Sequence, residues 1–168
     1  MPLAASETLT TRAFVGLGAN QGDLATTLRV AIERLAALPA TRLRGMSSFY
    51  ATEPQDAGGP DYLNAVVELD TALSATELLT HLQRIEAEHG RVRPYRNAPR
   101  TLDLDLLLYG DMLIDSPDLT VPHPRLHQRA FALQPLVEVD PAVVIPRRGP
   151  AIDWLASVAD QRTQKLAG

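Results

Sequence analysis

Apolar residues near the start of the chain change from the spacing of a strand to that of a helix. Residues 13–17 (AFVGL) form an apolar run that ends in the turn-forming residues 18–23 (GANQGD). This pattern predicts a strand followed by a loop. Asp23 can cap the next segment, where apolar residues recur at helical spacing up to Pro39: Leu24, Leu28, Ala31, Ile32, Leu35 and Leu38. An amphipathic helix is therefore predicted after the first strand.

The next segments predict two strands and a second helix. Residues 43–52 are rich in residues that strands tolerate, whereas residues 53–60 (EPQDAGGP) cannot hold regular structure. Residues 62–69 (YLNAVVEL) predict another strand. A capping box at residues 74–77 (SATE) opens a helix that continues towards Gly90.

The clearest strand of the chain comes after a basic loop. Residues 102–109 (LDLDLLLY) predict a strand that turns at Gly110 into a short partner strand around residues 112–114. Two short helices are predicted further on, at residues 130–136 and 151–159.

The resulting order, βαββαβ, predicts an α/β fold of the α+β type. This succession is the ferredoxin-like arrangement, in which two helices cover one face of an antiparallel sheet. The later elements would form a C-terminal extension. We expect a single domain over residues 1–168, because 168 residues is a common size for one domain.

The composition is that of an ordinary globular protein. Hydrophobic residues make up 45% of the chain, charged residues 21%, and the net charge is -4, which disfavours a nucleic-acid partner. No cysteine is present, so the chain has no disulfide, thiolate metal site or cysteine nucleophile. Residues 1–12 lack the features of a secretory signal, and no apolar run reaches the roughly 18 residues of a membrane span. We expect a cytoplasmic monomer that binds neither nucleic acid nor membrane.

Arginines are concentrated in one part of this otherwise acidic chain. Five of them lie within residues 84–100: Arg84, Arg91, Arg93, Arg96 and Arg100. Guanidinium groups bind phosphate and carboxylate with two hydrogen bonds at a time, so the cluster indicates a local anion site. A solvated surface with salt bridges is the alternative.

Two acids alternate with leucines in the strand at residues 102–109. The strand period of two predicts that four leucines share one face: Leu102, Leu104, Leu106 and Leu108. Asp103 and Asp105 would lie on the other face, with α-carbons about 6.6 Å apart. Neighbouring carboxylates repel each other unless a cation or hydrogen bonds compensate. Magnesium suits such hard oxygen ligands, although a wet sheet face with two ordinary acids is also possible.

The arginine cluster directly precedes this acidic strand, which favours a polyphosphate ligand. Carboxylates can fix a magnesium ion while guanidinium groups contact the phosphate oxygens and spread the charge that develops during transfer. Metal ligands and anion-binding groups are therefore predicted to act together.

Residues 96–107 (RNAPRTLDLDLL) resemble the signature of the 6-hydroxymethyl-7,8-dihydropterin pyrophosphokinases. Further similar segments are residues 17–23 (LGANQGD), 47–54 (SSFYATEP), 60–65 (PDYLNA) and 121–123 (VPH). The resemblance extends over about residues 14–141. It implies an enzyme of folate biosynthesis, a diphosphokinase with two Mg²⁺ ions. Such an enzyme transfers pyrophosphate from ATP to 6-hydroxymethyl-7,8-dihydropterin and releases AMP and the pterin diphosphate.

The resemblance also implies roles for individual residues in catalysis and ATP binding. Asp103 and Asp105 would ligate the metal ions, and Arg91 and Arg100 would grip the phosphates and support transfer. These four residues form the expected catalytic set. The ATP site would also contain further residues: Gln83, Glu86, Arg93, Thr120, His123 and Arg129. The other histidines are expected at the surface or at helix ends: His81, His89 and His127.

For the pterin, the resemblance implies a flat pocket with one polar edge. Tyr62 and Phe131 would form aromatic walls, and Asn64 would be a hydrogen-bond partner. The backbone of Thr52, Glu53 and Pro54 would contact the edge of the ring. Stacking together with an amide that both donates and accepts suits a heterocycle of this kind.

Two other functions stay open on the residues alone. Another magnesium-dependent nucleotidyl or phosphoryl transferase could use the same acids with a different acceptor, and an ordinary kinase would release ADP instead of AMP. A small-ligand regulatory module is the second possibility, because one fold serves many functions. Such a module would bind its ligand without turnover.

Overall fold

The computed structural model describes residues 9–20, 23–52, 62–90 and 102–166. Its strands are β1 (Thr11–Ala19), β2 (Thr41–Met46), β3 (Tyr50–Thr52), β4 (Tyr62–Thr71), β5 (Asp103–Tyr109), β6 (Ile114–Asp115), β7 (Thr120–Val121), β8 (Val144–Ile145), β9 (Gly149–Pro150) and β10 (Thr163–Lys165). Its α-helices are α1 (Leu24–Ala36), α2 (Ala75–Gly90) and α3 (Ala130–Val139). Two 3₁₀ helices span Leu126–Gln128 and Ala151–Val158.

An antiparallel sheet of six strands forms the centre of the described chain. Its order is β10-β3-β4-β1-β5, and β2 also pairs with β4. β1 lies inside the sheet and pairs with β4 along its whole length and with β5 over residues 13–18. The prediction of a mixed fold with helices and an antiparallel sheet is confirmed.

Helices cover both faces of this sheet, one face more completely than the other. α1 and α2 pack on the first face around buried apolar side chains: Val15, Leu28, Leu35, Leu69, Leu78 and Leu82. α3 and the second 3₁₀ helix pack on the opposite face around a second set: Phe14, Val66, Leu133, Leu136 and Ile145. Burying one such side chain contributes about 1.5–3 kcal/mol. The second layer leaves the start of β5 uncovered, since Asp103 and Asp105 are exposed there.

Both predicted helix starts are confirmed by capping hydrogen bonds. The carboxylate of Asp23 accepts from the Thr26 backbone N–H at 3.2 Å and from the Thr26 hydroxyl at 2.9 Å. At the start of α2, Ser74 N–H donates to Glu77 Oε1 at 2.8 Å and Glu77 N–H donates to Ser74 Oγ at 3.1 Å. These bonds satisfy backbone donors that have no partner within the helix. No helix in the described ranges is both long and apolar enough to span a membrane.

The strand predicted over residues 43–52 is divided into β2 and β3. The division falls at Ser47, whose hydroxyl replaces a backbone acceptor. Ser47 Oγ accepts from the Val66 backbone N–H at 2.9 Å and donates to the Ser48 carbonyl oxygen at 2.7 Å. The Ser47 hydroxyl thus accepts the hydrogen bond of the Val66 N–H in β4, at the point where the backbone beside β4 no longer pairs regularly.

The prediction that Leu108 shares a face with Leu106 is wrong. Pairing between β1 and β5 shifts at this point, because Val15 pairs with Leu106 whereas Phe14 pairs with Leu108. Leu107 is the extra residue of a β-bulge, which changes the side-chain alternation. Leu108 is consequently buried among the residues that pack against α3.

The short strand that follows β5 also differs from the prediction. Gly110 has a φ of 56°, a left-handed conformation that favours glycine, and it ends β5 in the predicted turn. The Met112 N–H closes this turn on the Tyr109 carbonyl oxygen at 3.1 Å. The chain then leaves the sheet, and β6 pairs with β7 rather than with β5.

His127 lies in the last turn of the first 3₁₀ helix, in agreement with the predicted helix-end position, but it is buried, with 7% of its surface exposed, so a surface position is wrong. Its ring packs edge-on against Trp154, with 4.8 Å between the ring centroids. Burial is the largest cause that lowers the pKa of His127, and the charge of Arg148 lowers that pKa further. Protonation of this ring is therefore disfavoured in the folded chain.

Acidification should destabilise the fold through His127. Because its folded-state pKa lies below the unfolded value of about 6.5, the contribution of the neutral ring is fully present above that pH and is lost as the pH falls towards the folded-state pKa. His127 can change the free energy of unfolding by at most about 1.4 kcal/mol per pH unit. Urea denaturation at a series of pH values measures the free energy of unfolding. This free energy should change less with pH in His127→Phe than in the wild-type chain. If the free energy of unfolding changed equally with pH in both chains, His127 would not contribute to the loss of stability in acid.

Candidate functional site

The two strand acids lie on the sheet face opposite α1 and α2. Leu104 and Leu106 are buried, with 5% and 4% exposed, whereas Asp103 and Asp105 are exposed. The alternation predicted for this part of β5 is therefore confirmed. Both carboxylates project from the part of the sheet that α3 leaves uncovered.

Two glycines of β1 pair with these acids. Gly18 pairs with Asp103 on one side and with Asn64 on the other, and Gly16 pairs with Asp105. A Cβ atom added at Gly18 would lie 3.0 Å from Asn64 Nδ2, which is closer than ordinary packing allows. Because Gly18 carries no side chain, the Asn64 amide lies over the middle strand, and we refer to the strip of sheet face between Asn64 and Asp103 as the groove.

Asn64 and Thr52 lie on the other side of this groove, and both have unsatisfied polar atoms. They are buried, with 7% and 5% exposed. Asn64 Oδ1 and Thr52 Oγ1 make no hydrogen bond with any described residue, and Asn64 Nδ2 makes only a long one, 3.5 Å, to the Leu17 carbonyl oxygen. A buried polar atom without a partner costs about 1–3 kcal/mol. A ligand that donates hydrogen bonds here would remove that cost.

Aromatic residues occur on the same face as this polar pair. Tyr62 pairs with Thr52 across β3 and β4, and directly opposite residues point to the same side of a sheet. Phe131, in the first turn of α3, is only partly buried against the second cluster. The guanidinium carbon of Arg129 lies 5.4 Å from the centroid of the Phe131 ring. Both predicted aromatic walls are thus on the groove face of the sheet.

The turn after β7 brings His123 close to Asp105. The His123 N–H donates to the Leu107 carbonyl oxygen at 2.9 Å, which ties this turn to β5. Nδ1 of His123 accepts from the Arg125 N–H at 3.1 Å. A neutral ring that accepts at Nδ1 carries its proton on Nε2, so Nε2 can donate to a ligand.

Electrostatic effects confirm that Asp105, His123 and Arg129 are neighbours. Burial is the largest cause that lowers the pKa of His123; the charge of Asp105 opposes it, and Arg129 and Arg125 reinforce it. Burial also lowers the pKa of Arg129, again against the charge of Asp105. The negative charge of Asp105, near the start of β5, therefore lies close to the neutral ring of His123 and the cationic Arg129.

The other residues predicted for the ATP site are less closely grouped. Glu86 Oε2 accepts from the Leu104 backbone N–H at 2.7 Å, which holds α2 against the start of β5. Gln83 is exposed one turn earlier on α2. Thr120 is exposed in β7, which packs beside β5.

Five of the predicted site residues lie outside the described ranges. They are Glu53 and Pro54 of the predicted pterin site and Arg91, Arg93 and Arg100 of the predicted phosphate site. Their assignments stay predictions from the sequence.

The donor set fits a magnesium ion that is shared with a substrate. Among residues 9–20, 23–52, 62–90 and 102–166, no group of three or more His, Cys, Asp or Glu side chains could hold a metal. A closed structural metal centre needs such a group. Magnesium usually takes one or two carboxylates and completes its shell with water and substrate phosphates. Asp103 and Asp105 supply that number of carboxylates.

Sequence reasoning missed Arg125 and the role of the two glycines. Arg125 acts on both His123 and Arg129, yet nothing in its sequence context distinguishes it from a surface arginine. Gly16 lies in the predicted strand, whereas Gly18 begins the predicted loop of residues 18–23; β1 in fact continues to Ala19, so both glycines pair with the acids of β5.

Comparison with known proteins gives the chain a clear set of relatives. The family model described as 7,8-dihydro-6-hydroxymethylpterin-pyrophosphokinase (HPPK) matches residues 14–141. A Haemophilus influenzae protein is 41% identical over 157 residues, which cover 92% of this chain and 97% of that protein. A Pseudomonas aeruginosa protein is 40% identical over 158 residues, covering 94% and 98%. Both are named 2-amino-4-hydroxy-6-hydroxymethyldihydropteridine pyrophosphokinase.

Solved structures agree on the fold. The wild-type Plasmodium falciparum HPPK-DHPS with pteroate has a TM-score of 0.73 at 13% identity, over 90% of this chain and 43% of that one. Another structure of the wild-type protein has a TM-score of 0.70 at 12% identity, over 90% and 45%. The chain thus spans less than half the length of these solved chains, and at such low identity the likeness concerns the fold alone.

Proposed function

Because the chain belongs to the 7,8-dihydro-6-hydroxymethylpterin-pyrophosphokinase family, we propose that its reaction takes place in the groove beside β5. The chain transfers pyrophosphate to hydroxymethyldihydropterin in folate biosynthesis, as its family and its relatives' names indicate. We take ATP as the donor and AMP as the second product. One observation carries the location: Asp103, Gly18 and Asn64 pair across three neighbouring strands, so a predicted metal ligand and a predicted pterin ligand border one groove.

In the proposed reaction, the pterin hydroxymethyl oxygen attacks the β-phosphorus of ATP in line with the leaving AMP. The new bond joins this oxygen to the β-phosphorus, and the hydroxyl proton passes to water. The bond between that phosphorus and the oxygen bridging to the α-phosphorus breaks, so AMP leaves with the bridging oxygen. Asp103 and Asp105 would hold two Mg²⁺ ions, which neutralise charge on the phosphate oxygens when bound. Positioning and charge stabilisation account for most of catalysis in such transfers.

Side chains that donate hydrogen bonds or carry positive charge near Asp105 would hold the nucleotide. His123 can donate from Nε2, and Arg129 and Arg125 add positive charge in the same place. Arg91, Arg93 and Arg100 would approach from the preceding loop. Gln83, Glu86 and Thr120 would complete the site, with Glu86 also fixing the start of β5.

The pterin would lie between the aromatic residues and the polar pair on the other side of the groove. Tyr62 and Phe131 offer ring faces, while Asn64 and Thr52 offer buried polar atoms that lack partners in the described chain. The backbone of Glu53 and Pro54 would continue this polar edge. A flat heterocycle with several donors and acceptors matches that combination.

We further propose that residues 1–168 form one domain that acts as a monomer. Its core would be the ferredoxin-like βαββαβ unit, with α3 and the elements after it as a C-terminal extension. The strand order and the packing of α1 and α2 on one sheet face support the ferredoxin-like core.

Asn64→Leu should weaken pterin binding while leaving ATP binding nearly unchanged. Leucine has a similar size but can neither donate nor accept, so the hydrogen bonds to the heterocycle are lost. Such a loss is worth about 1–3 kcal/mol, which corresponds to a rise in the KM for the pterin of about fivefold to 150-fold. Steady-state kinetics with each substrate varied in turn measures the change. An unchanged KM for the pterin would contradict the role of Asn64.

Product analysis tests the proposed reaction. The purified chain should convert ATP and 6-hydroxymethyl-7,8-dihydropterin, with Mg²⁺, to equal amounts of AMP and the pterin diphosphate. No AMP should form when the pterin is omitted. Release of ADP with a pterin monophosphate would instead identify ordinary kinase chemistry, and binding without turnover would identify a regulatory module.

A further inference from the structure

The carboxylate of Glu138 joins α3 to the division between β2 and β3. Oε1 accepts from the Ser48 backbone N–H at 3.0 Å and from the Tyr50 hydroxyl at 2.7 Å. Oε2 accepts from the Ser48 hydroxyl at 2.7 Å, and Lys165 Nζ lies 3.5 Å from the same oxygen. One side chain of α3 therefore contacts the backbone of Ser48 and three side chains of this part of the sheet: Ser48, Tyr50 and Lys165.

This network suits an ionised carboxylate that accepts from neutral donors and lies beside the charged Lys165. Burial raises the pKa of Glu138, but hydrogen bonds from Tyr50 and Ser48 together with the charge of Lys165 outweigh burial and hold the pKa below its ordinary value. Burial and the neighbouring Glu138 raise the pKa of Tyr50, so its hydroxyl keeps its proton. Hydrogen bonds to an ionised acceptor are about twice as strong as neutral ones.

A second polar contact lies on the same face of α3. Gln134 shares a hydrogen bond with Thr163 of β10, and Thr163 pairs with Thr52 of β3. Phe131, Gln134 and Glu138 are separated by three and four residues, which places them on one face of the helix. The face that presents Phe131 to the groove is thus the face that is anchored to β3 and β10.

The anchored strand carries the opposite side of the candidate pterin site. Tyr50 pairs with Asn64, and Thr52 pairs with Tyr62. The separation between Phe131 on α3 and these residues on β3 and β4 therefore depends on how α3 is held against the sheet edge. The hydrogen bonds from Ser48 and Tyr50 to Glu138 have a charged acceptor, so Glu138 supplies the charged contacts between α3 and this part of the sheet.

We propose that Glu138 is a positioning residue, which fixes the width of the pterin slot between Phe131 and β3 without touching either substrate. This inference rests on the proposed function of the groove. Without the Glu138 contacts, α3 remains attached through its apolar residues but no longer holds Phe131 at one distance. Pterin affinity should fall, whereas ATP, which binds beside β5, should be affected little.

Steady-state kinetics and pterin titration of Glu138→Ala test this inference. We expect the KM for the pterin and its dissociation constant in the absence of ATP to rise about tenfold, with the KM for ATP and kcat within about twofold of the wild type. Glu138→Gln keeps one acceptor oxygen and should give an intermediate rise. Tyr50→Phe deletes one donor with little change of shape and should give a rise of about threefold. If Glu138→Ala does not fold, Glu138→Gln and Tyr50→Phe test the positioning role of Glu138.

Asp140→Asn is the matched control on the same helix. Asp140 caps α3 and is paired with Arg12 of β1, away from β3, so its loss should lower the melting temperature without changing the KM for the pterin. An equal rise in Asp140→Asn, or an unchanged KM in the Glu138 and Tyr50 variants, would overturn the positioning role while leaving the proposed function intact. A wild-type chain that neither binds the pterin nor forms AMP would overturn the proposed function, and this inference with it.

Discussion

Asp105→Ala should reduce pyrophosphate transfer about a thousandfold, because charge neutralisation by a bound metal ion is worth several kcal/mol in the transition state. Asp105 is exposed on the groove face of β5, and its charge acts on both His123 and Arg129. Removing the carboxylate leaves His123 and Arg129 in place but deletes one of the two predicted metal ligands. AMP release at saturating ATP and pterin measures the loss.

The acid of the turn after β5 provides a control for this variant. Asp111 is exposed and follows Gly110, so Asp111→Ala removes the same charge from the same part of the chain without changing the groove. Its activity should match that of the wild type. Full activity of a folded Asp105→Ala would show that the acid has no part in the reaction.

Arg100→Ala and Arg91→Ala should each lower kcat about 100-fold to 1,000-fold, the range found when one preorganised donor to a developing charge is removed. The two arginines are expected to act mainly in the transition state, so the KM for ATP should change much less than kcat. Rapid-quench measurement of a single turnover separates the chemical step from substrate binding and product release.

Arg84 is the matched control for these two variants. It belongs to the same arginine cluster, but it is exposed on α2 and the family resemblance gives it no role. Arg84→Ala should retain kcat within about twofold. If Arg91→Ala and Arg100→Ala also kept full turnover, their assignment to phosphate transfer would be wrong.

Much of the site could be predicted because its signals are local. The alternation of leucine and aspartate over residues 102–106 specifies which side chains of β5 are buried, and the structure agrees. The caps at Asp23 and Ser74 likewise depend only on residues within one helical turn. Short-range patterns of this kind identify an element and its faces, but not its partners in the sheet.

The features that sequence reasoning missed depend on contacts between distant parts of the chain. The bulge at Leu107 arises from the pairing of β5 with β1, and the division at Ser47 arises from its bonds to β4. His127 is buried by Trp154, and Glu138 binds Ser48 across 90 positions of sequence. The sequence around each of these residues does not indicate which distant residue it contacts. These partners are therefore identified only in the folded chain.

Manganese binding, followed by electron paramagnetic resonance with a non-hydrolysable ATP analogue present, examines the two strand acids without relying on turnover. Manganese replaces magnesium at oxygen ligands. We expect two bound ions per wild-type chain and a loss of bound manganese in the double variant Asp103→Asn and Asp105→Asn, with Asp111→Asn unchanged. If the double variant bound the same number of ions with the same dissociation constants, the acids of β5 would not be metal ligands.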